Sequence, residues 1–80
     1  MNPVLAALDA VIAALGTKRN AALASYAMYY VENDDPKKAE LADWYLGQWR
    51  GLGDALDVVI AERISTVRAL ADEALDAVTA

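Results

Sequence analysis

Two long stretches of the chain repeat apolar side chains at the three- and four-residue spacing of a helix face. In the first stretch the repeat runs through Val4, Leu5, Leu8, Val11, Ile12 and Leu15, and then through Leu23, Tyr26, Tyr30 and Val31. In the second stretch it runs from Leu41 to Val78. This periodicity predicts two α-helical arms. β-branched residues are few and do not alternate with polar ones, so no strand is predicted.

Three polar residues and a proline, Asn33-Asp34-Asp35-Pro36, separate the two arms. Asn33 suits the left-handed conformation that ends a helix, Asp35 suits the N-cap of the next helix, and Pro36 suits its first turn. Asn2 and Pro3 form the same cap-and-proline start for the first arm. The sequence therefore predicts an all-α fold, an antiparallel helical hairpin that forms one domain over residues 1–80.

Glycines interrupt both arms and leave their continuity open. Gly16-Thr17 either ends one helix and caps the next, or is read through at a cost of about 1 kcal/mol relative to alanine. We favour a break or kink near Gly16. Gly47, Gly51 and Gly53 fall within seven residues of the second arm. For that arm we favour an unbroken helix, or one kinked near Gly51–Gly53.

The arms differ in length, which predicts association. About 30 residues precede the turn and about 44 follow it, so a hairpin leaves several turns of the second arm unmatched. Domains of this size without disulfides or metals often recruit a second chain. We predict that two hairpins dimerise into a helical bundle. The candidate self-association residues are Gly47, Gly51, Leu56, Ile60, Val67 and Leu70.

All aromatic residues lie on either side of the turn. They are Tyr26, Tyr29, Tyr30, Trp44, Tyr45 and Trp49. A hairpin brings them to one end, where three interpretations remain open: an aromatic plug between the helices, a protein-recognition surface, or a pocket for a small apolar ligand. Tyrosine and tryptophan are enriched at interface hot spots. We take the six residues as candidate partner-binding residues.

Charge and residue types exclude several classes of function. The chain has no histidine and no cysteine, which removes the commonest general base, nucleophile and metal ligands. We therefore expect no enzyme activity, no cofactor and no metal site. The net charge is −5 and the seven basic residues are scattered, so direct nucleic-acid binding is not expected.

The hydropathy of the chain bears on its location. The longest run without charge, residues 20–31, is shorter than the roughly 20 residues that a membrane-spanning helix needs. The first residues lack the basic region of a secretory signal. We expect a cytoplasmic protein with no membrane span.

One tripeptide is similar to a known motif. Trp49-Arg50-Gly51 matches the Trp-x-Gly tripeptide of the helical-hairpin substrates of type VII secretion, where it lies in the turn between two helices. Here the stronger turn signal is at residues 33–36. The match covers three residues, and we do not assign the chain to that family.

Together these features predict a small acidic helical interaction protein. It would self-associate and bind another macromolecule, most simply a protein, as an adaptor, assembly element or inhibitor. Its alanine-rich, acidic composition fits a phage or mobile-element accessory protein. The alternatives are a bundle that binds a small apolar ligand between its tyrosines and tryptophans, and a helical hairpin secreted without a signal.

Overall fold

The computed structural model describes residues 2–31 and 35–79 and shows two helices packed side by side. Helix α1 spans Pro3–Val31 and helix α2 spans Pro36–Thr79, and the described residues contain no strand. Asp9 contacts Arg63 and Tyr29 stacks on Tyr45, so the helices run antiparallel. The hairpin measures 68 × 17 × 13 Å. The predicted all-α hairpin is confirmed, while dimerisation stays a prediction.

Each helix begins at the cap that the sequence predicts. The backbone amides of Val4 and Leu5 donate to Oδ1 of Asn2 at 2.8 and 3.2 Å. The amide of Lys37 donates to Oδ1 of Asp35 at 2.9 Å. These bonds satisfy amides that the first turn of a helix leaves unpaired, and they set where each arm begins. The predicted left-handed Asn33 lies outside the described residues.

Both helices continue through their glycines. The break that we predicted at Gly16 is absent, because α1 is helical over all 29 of its residues. The hydroxyl of Thr17 donates to the carbonyl of Ala13 at 3.0 Å, a bond within the helix, and so does not cap a new one. Helix α2 likewise runs unbroken past Gly47, Gly51 and Gly53. Packing along a whole helix face outweighs the small cost of each glycine.

The contact between the helices follows a seven-residue repeat. The most buried positions of α1 recur at spacings of three and four from Leu5 to Tyr29, and those of α2 recur in the same way from Ala42 to Leu70. A sustained 3.5-residue period keeps one seam of each helix facing the other and is typical of a two-stranded antiparallel coiled coil. Below, "the seam" means this line of contact.

The pairing register shows which part of α2 lies beyond α1. Asp9 is level with Arg63, and Arg19 is level with Gly53. Continuing this register places Pro3 beside residue 69. Every residue from 71 to 79 is exposed, so about 13 Å of α2 extends past α1. The predicted overhang is therefore present, although Val67 and Leu70 lie beside the first turn of α1. Another part of the length difference lies at the turn end of α2.

A cation lies in the seam between the helices. The guanidinium of Arg19 stacks over the Trp49 ring with Cζ 4.3 Å from the ring centroid. A Cβ atom placed on Gly53 would lie 3.0 Å from Nη2 and 3.1 Å from Nε of the same arginine. Gly53 therefore leaves the space that the guanidinium occupies. Nε is buried without a hydrogen-bond partner and faces this site. A buried polar group of this kind penalises other registers.

Replacing the glycines of α2 by alanine should separate the role of Gly53 from that of the other two. Cβ atoms at Gly47 and Gly51 would meet open space, so each of these replacements should raise the free energy of unfolding by about 0.5–1 kcal/mol. Gly53→Ala should be neutral or destabilising, because the new methyl group displaces Arg19 from a contact worth about 0.5–2 kcal/mol. Chemical denaturation at low protein concentration measures the three values.

The control is the same set of replacements in an Arg19→Ala background. Without the guanidinium, all three glycines should respond alike, because only helix propensity then distinguishes them. Equal gains at Gly47, Gly51 and Gly53 in the original chain would show that Arg19 does not depend on the space at Gly53.

Candidate functional site

The hairpin has far more surface than a compact protein of its size. Its accessible surface is 5947 Å², whereas a compact 8.6 kDa monomer has about 4,700 Å². Its radius of gyration is 18.9 Å, against about 11.6 Å for a compact 80-residue domain. Among the described residues only Ala22, Ala42 and Leu56 are buried. The elongated hairpin therefore exposes roughly 1,200 Å² more surface than a compact chain of its mass.

Helix α1 is apolar on nearly all sides. Its only charged residues are Asp9, Lys18 and Arg19. Away from the seam it exposes bulky apolar side chains at Val4, Val11, Leu23 and Met28. A helix that is apolar all round normally lies inside a protein, yet a single helix flanks α1 here. The outer face of α1 is therefore one surface that lacks a partner.

A second apolar surface lies on the far half of α2. Its members share one face at spacings of four, three, four, three and four residues, and all are exposed. They are Ile60, Ile64, Val67, Ala71, Ala74 and Val78. We call this set the C-terminal stripe. It begins beside α1 and continues through the residues that extend past Pro3, so none of the described residues of α1 lies beside its outer half.

The predicted self-association residues differ in exposure, and only some of them are accessible to a second chain. Gly47, Gly51, Ile60 and Val67 are exposed, and Leu70 is half-buried at the end of the seam. Leu56 differs because it is buried against α1, where it forms part of the hairpin's own contact. Ile60 and Val67 belong to the C-terminal stripe, whereas Gly47 and Gly51 lie in an open groove beside Trp44.

The hairpin brings together part of the aromatic cluster. Tyr29 stacks on Tyr45 with ring centroids 5.7 Å apart, and the Trp44 ring meets Tyr45 edge-on at 4.9 Å. Tyr26 pairs with Tyr30 along α1 at 5.5 Å. Trp49 instead lies in the seam beneath Arg19. The Trp-x-Gly tripeptide that begins at Trp49 is inside α2 rather than in the turn.

Trp44 is the more exposed of the two tryptophans. Its side chain is 57% exposed and lies at the junction of three grooves. Lys18 lines one groove and Lys37 another, and neither ammonium group has an ion-pair partner among the described residues. Below, "the Trp44 surface" means Trp44 with these two lysines. An exposed indole between two free cations suits a partner with apolar and acidic side chains.

The grooves at this end are open clefts on the hairpin surface. One cleft that Trp44 lines is also lined by Ala21, Ala22, Gln48 and Leu52. A ligand there would keep one side in water, whereas small-molecule sites usually enclose most of the ligand. This geometry favours a macromolecular surface over the apolar-ligand alternative.

Metal and membrane features were searched over residues 2–31 and 35–79. In those ranges no three acidic side chains converge as a metal site. Neither helix, within the same ranges, is long and apolar enough to span a membrane.

Sequence reasoning missed the cation in the seam. Arg19 occupies a position where the seven-residue repeat of α1 calls for an apolar side chain. That mismatch is visible in the sequence once the repeat is written out. That Trp49 and Gly53 of α2 lie at the same level as Arg19 could not be predicted without the pairing register, which the structure gives.

Comparison with models of protein families, with curated proteins and with solved structures finds no match. The case for function therefore depends on the surfaces described above.

Alanine replacements should divide the aromatic residues into two groups. Trp44→Ala and Tyr30→Ala remove side chains that are 57% and 59% exposed, so each should lower the free energy of unfolding by less than about 1 kcal/mol. Tyr45→Ala removes a half-buried ring that contacts both Tyr29 and Trp44. It should cost about 2–3 kcal/mol. Denaturant unfolding monitored by circular dichroism measures the difference.

The paired outcome tests whether Trp44 is free for a partner. A loss at Trp44 as large as that at Tyr45 would place the indole in the hairpin's own core. Retained stability would leave Trp44 as an exposed anchor that the fold does not need.

Proposed function

We propose that the protein is a small helical interaction protein that self-associates and binds another protein as an adaptor, assembly element or inhibitor. The observation that carries the proposal is the exposed apolar surface of a two-helix hairpin. The hairpin has roughly 1,200 Å² more surface than a compact chain of its mass, which is more than the about 800 Å² that each partner contributes to a specific protein–protein interface of standard size.

Self-association accounts for the C-terminal stripe. The helix continues for nine exposed residues past the level of α1, and isolated helical segments of that length are marginal in water. A second chain that covers this segment would stabilise it by burying Ala71, Ala74 and Val78 together with Ile60, Ile64 and Val67. Two hairpins joined in this way form a bundle around a shared apolar core.

Partner binding accounts for the Trp44 surface at the opposite end. The C-terminal stripe begins at Ile60, about four turns along α2 from Trp44. An exposed tryptophan is the side chain most typical of an interface hot spot. Lys18 and Lys37, which have no ion-pair partner among residues 2–31 and 35–79, favour a partner with carboxylates beside its apolar anchor. Separate surfaces allow the protein to self-associate and bind a partner at the same time.

A matched pair of glutamate substitutions tests self-association. Ile64→Glu places a charge in the middle of the C-terminal stripe, and Val58→Glu places the same charge on α2 at a side chain that is 70% exposed and off the stripe. Ile64→Glu should weaken association at least tenfold, which corresponds to about 1.4 kcal/mol. Val58→Glu should change it little. Sedimentation equilibrium at micromolar concentrations measures both values.

Residues 3–31 and 36–70 should stay helical in both variants, since both substituted positions are exposed in the hairpin. Only residues 71–79, which the second chain would stabilise, should lose helical content in Ile64→Glu. An original chain that remains monomeric across the concentration range contradicts self-association. Equal weakening by both substitutions would indicate a general effect of negative charge and would remove the stripe from the interface.

A further inference from the structure

The C-terminal stripe is regular enough to define how a second copy binds. Its six side chains keep the spacing of a coiled-coil seam over 19 residues, from Ile60 to Val78. The four acidic side chains of this part of α2, Glu62, Asp72, Glu73 and Asp76, all lie off that face. Helix α2 therefore has two apolar faces with coiled-coil spacing. Helix α1 packs on the first, and the second is the C-terminal stripe.

We propose that a second copy of the chain packs on the C-terminal stripe in an antiparallel orientation, with α2 against α2. The proposal depends on the self-association proposed above and specifies its geometry. The register that covers the whole stripe places Ile60 opposite Val78 of the second copy, and Ile64 opposite its Ala74. In this register the bulky first half of each stripe meets the small second half of the other, so the helices stay evenly spaced.

The antiparallel orientation also removes the bare end of α2. Each copy's residues 71–79 pack beside residues 60–67 of the other copy, where α1 already flanks the helix. The segment then becomes one of three helices at that level, together with α2 and α1 of the other copy, whereas the isolated hairpin leaves all nine residues exposed. The overlap of 19 residues is about 28 Å long.

Charge distribution along α2 favours antiparallel over parallel pairing. The first half of the stripe region carries Arg63 and Arg68 with Glu62 (two positive charges and one negative, net +1), and the second half carries Asp72, Glu73 and Asp76 (net −3). A parallel pair would bring the acidic halves of the two copies to the same level. An antiparallel pair instead places the acidic half of each copy at the level of the arginines of the other, which is the complementary arrangement.

The arginines themselves tolerate this arrangement. Arg63 is already paired with Asp9, with Nε 2.6 Å from Oδ1, at the edge of the hairpin. Arg68 approaches its counterpart near the two-fold axis, which carries a repulsive cost. Its exposed guanidinium keeps access to solvent and lies one turn from Asp72 on its own helix. Screening by solvent keeps the repulsion small.

Cysteine crosslinking tests the orientation directly, since the chain contains no cysteine of its own. The double variant Ile60→Cys with Val78→Cys should form covalent dimers under mild oxidation. The two positions are about 27 Å apart along one helix, so they cannot join within one chain. Each single variant should remain free of crosslinks, because the antiparallel arrangement separates each position from its own copy by a similar distance.

A second pair and an off-stripe pair serve as controls. Ile64→Cys with Ala74→Cys should also crosslink. Val58→Cys with Val78→Cys should not, because Val58 lies outside the C-terminal stripe. The products are resolved by non-reducing electrophoresis, with sedimentation of the reduced variants to report their oligomeric state and circular dichroism to report helical content.

The outcomes separate this proposal from the one on which it depends. Crosslinks in both double variants, but in neither single variant, support antiparallel pairing. Crosslinks in the single variants indicate parallel pairing and overturn it. A reversible dimer without any of these crosslinks overturns the pairing while self-association stands, and a strictly monomeric chain overturns both.

Discussion

The structure depends on one geometric constraint: a single helix can cover only one side of another. The seam between α1 and α2 uses one stripe of each helix and buries only three side chains among the described residues. Everything apolar that lies outside the seam remains in water. For α1 this is most of the helix, since it carries only three charged residues in 29. The hairpin is therefore a folded unit whose apolar surface exceeds what its own two elements can cover.

Within the seam, the contact of Arg19 with Trp49 selects the pairing register of the helices, and the apolar contacts supply most of the stability. The Arg19–Trp49–Gly53 site places a guanidinium between an indole ring and a backbone that lacks a Cβ atom. A shift by one turn toward Leu56 would lay the same guanidinium beside Leu52 and Leu56 with no aromatic partner, and a shift the other way would move it away from the space at Gly53. Such a site selects one register among several that alanine-rich helices would otherwise accept. The Asp9–Arg63 pair is more exposed and adds little to the same selection.

The two ends of the hairpin offer different chemistry because the helices end at different levels. At the turn end, stacked tyrosines and Trp44 present rings with polar edges, and Lys18 and Lys37 line the grooves beside Trp44. At the far end, α2 continues alone with aliphatic side chains on one face and carboxylates elsewhere. Rings with polar edges suit a surface that is exposed part of the time, whereas an aliphatic stripe suits a permanent contact. This division is the physical basis for assigning partner binding to one end and self-association to the other.

Local features of the sequence determined where each helix begins. The pairing of the two helices decided which side chains are buried between them and which remain on the surface. Asn2 and Asp35 are caps in the structure as the sequence predicts, because capping depends only on a side chain and the next three amides. Helical continuity at Gly16 was not predictable locally, because a small intrinsic cost is outweighed by packing along the whole face. The same limit applies to the candidate site. The sequence identified the aromatic residues and the unequal arms, but only the register separated Trp49 in the seam from Trp44 on the surface, and Leu56 inside from Ile60 outside. These assignments depend on which residues of two distant segments lie level with one another, and no local propensity encodes that.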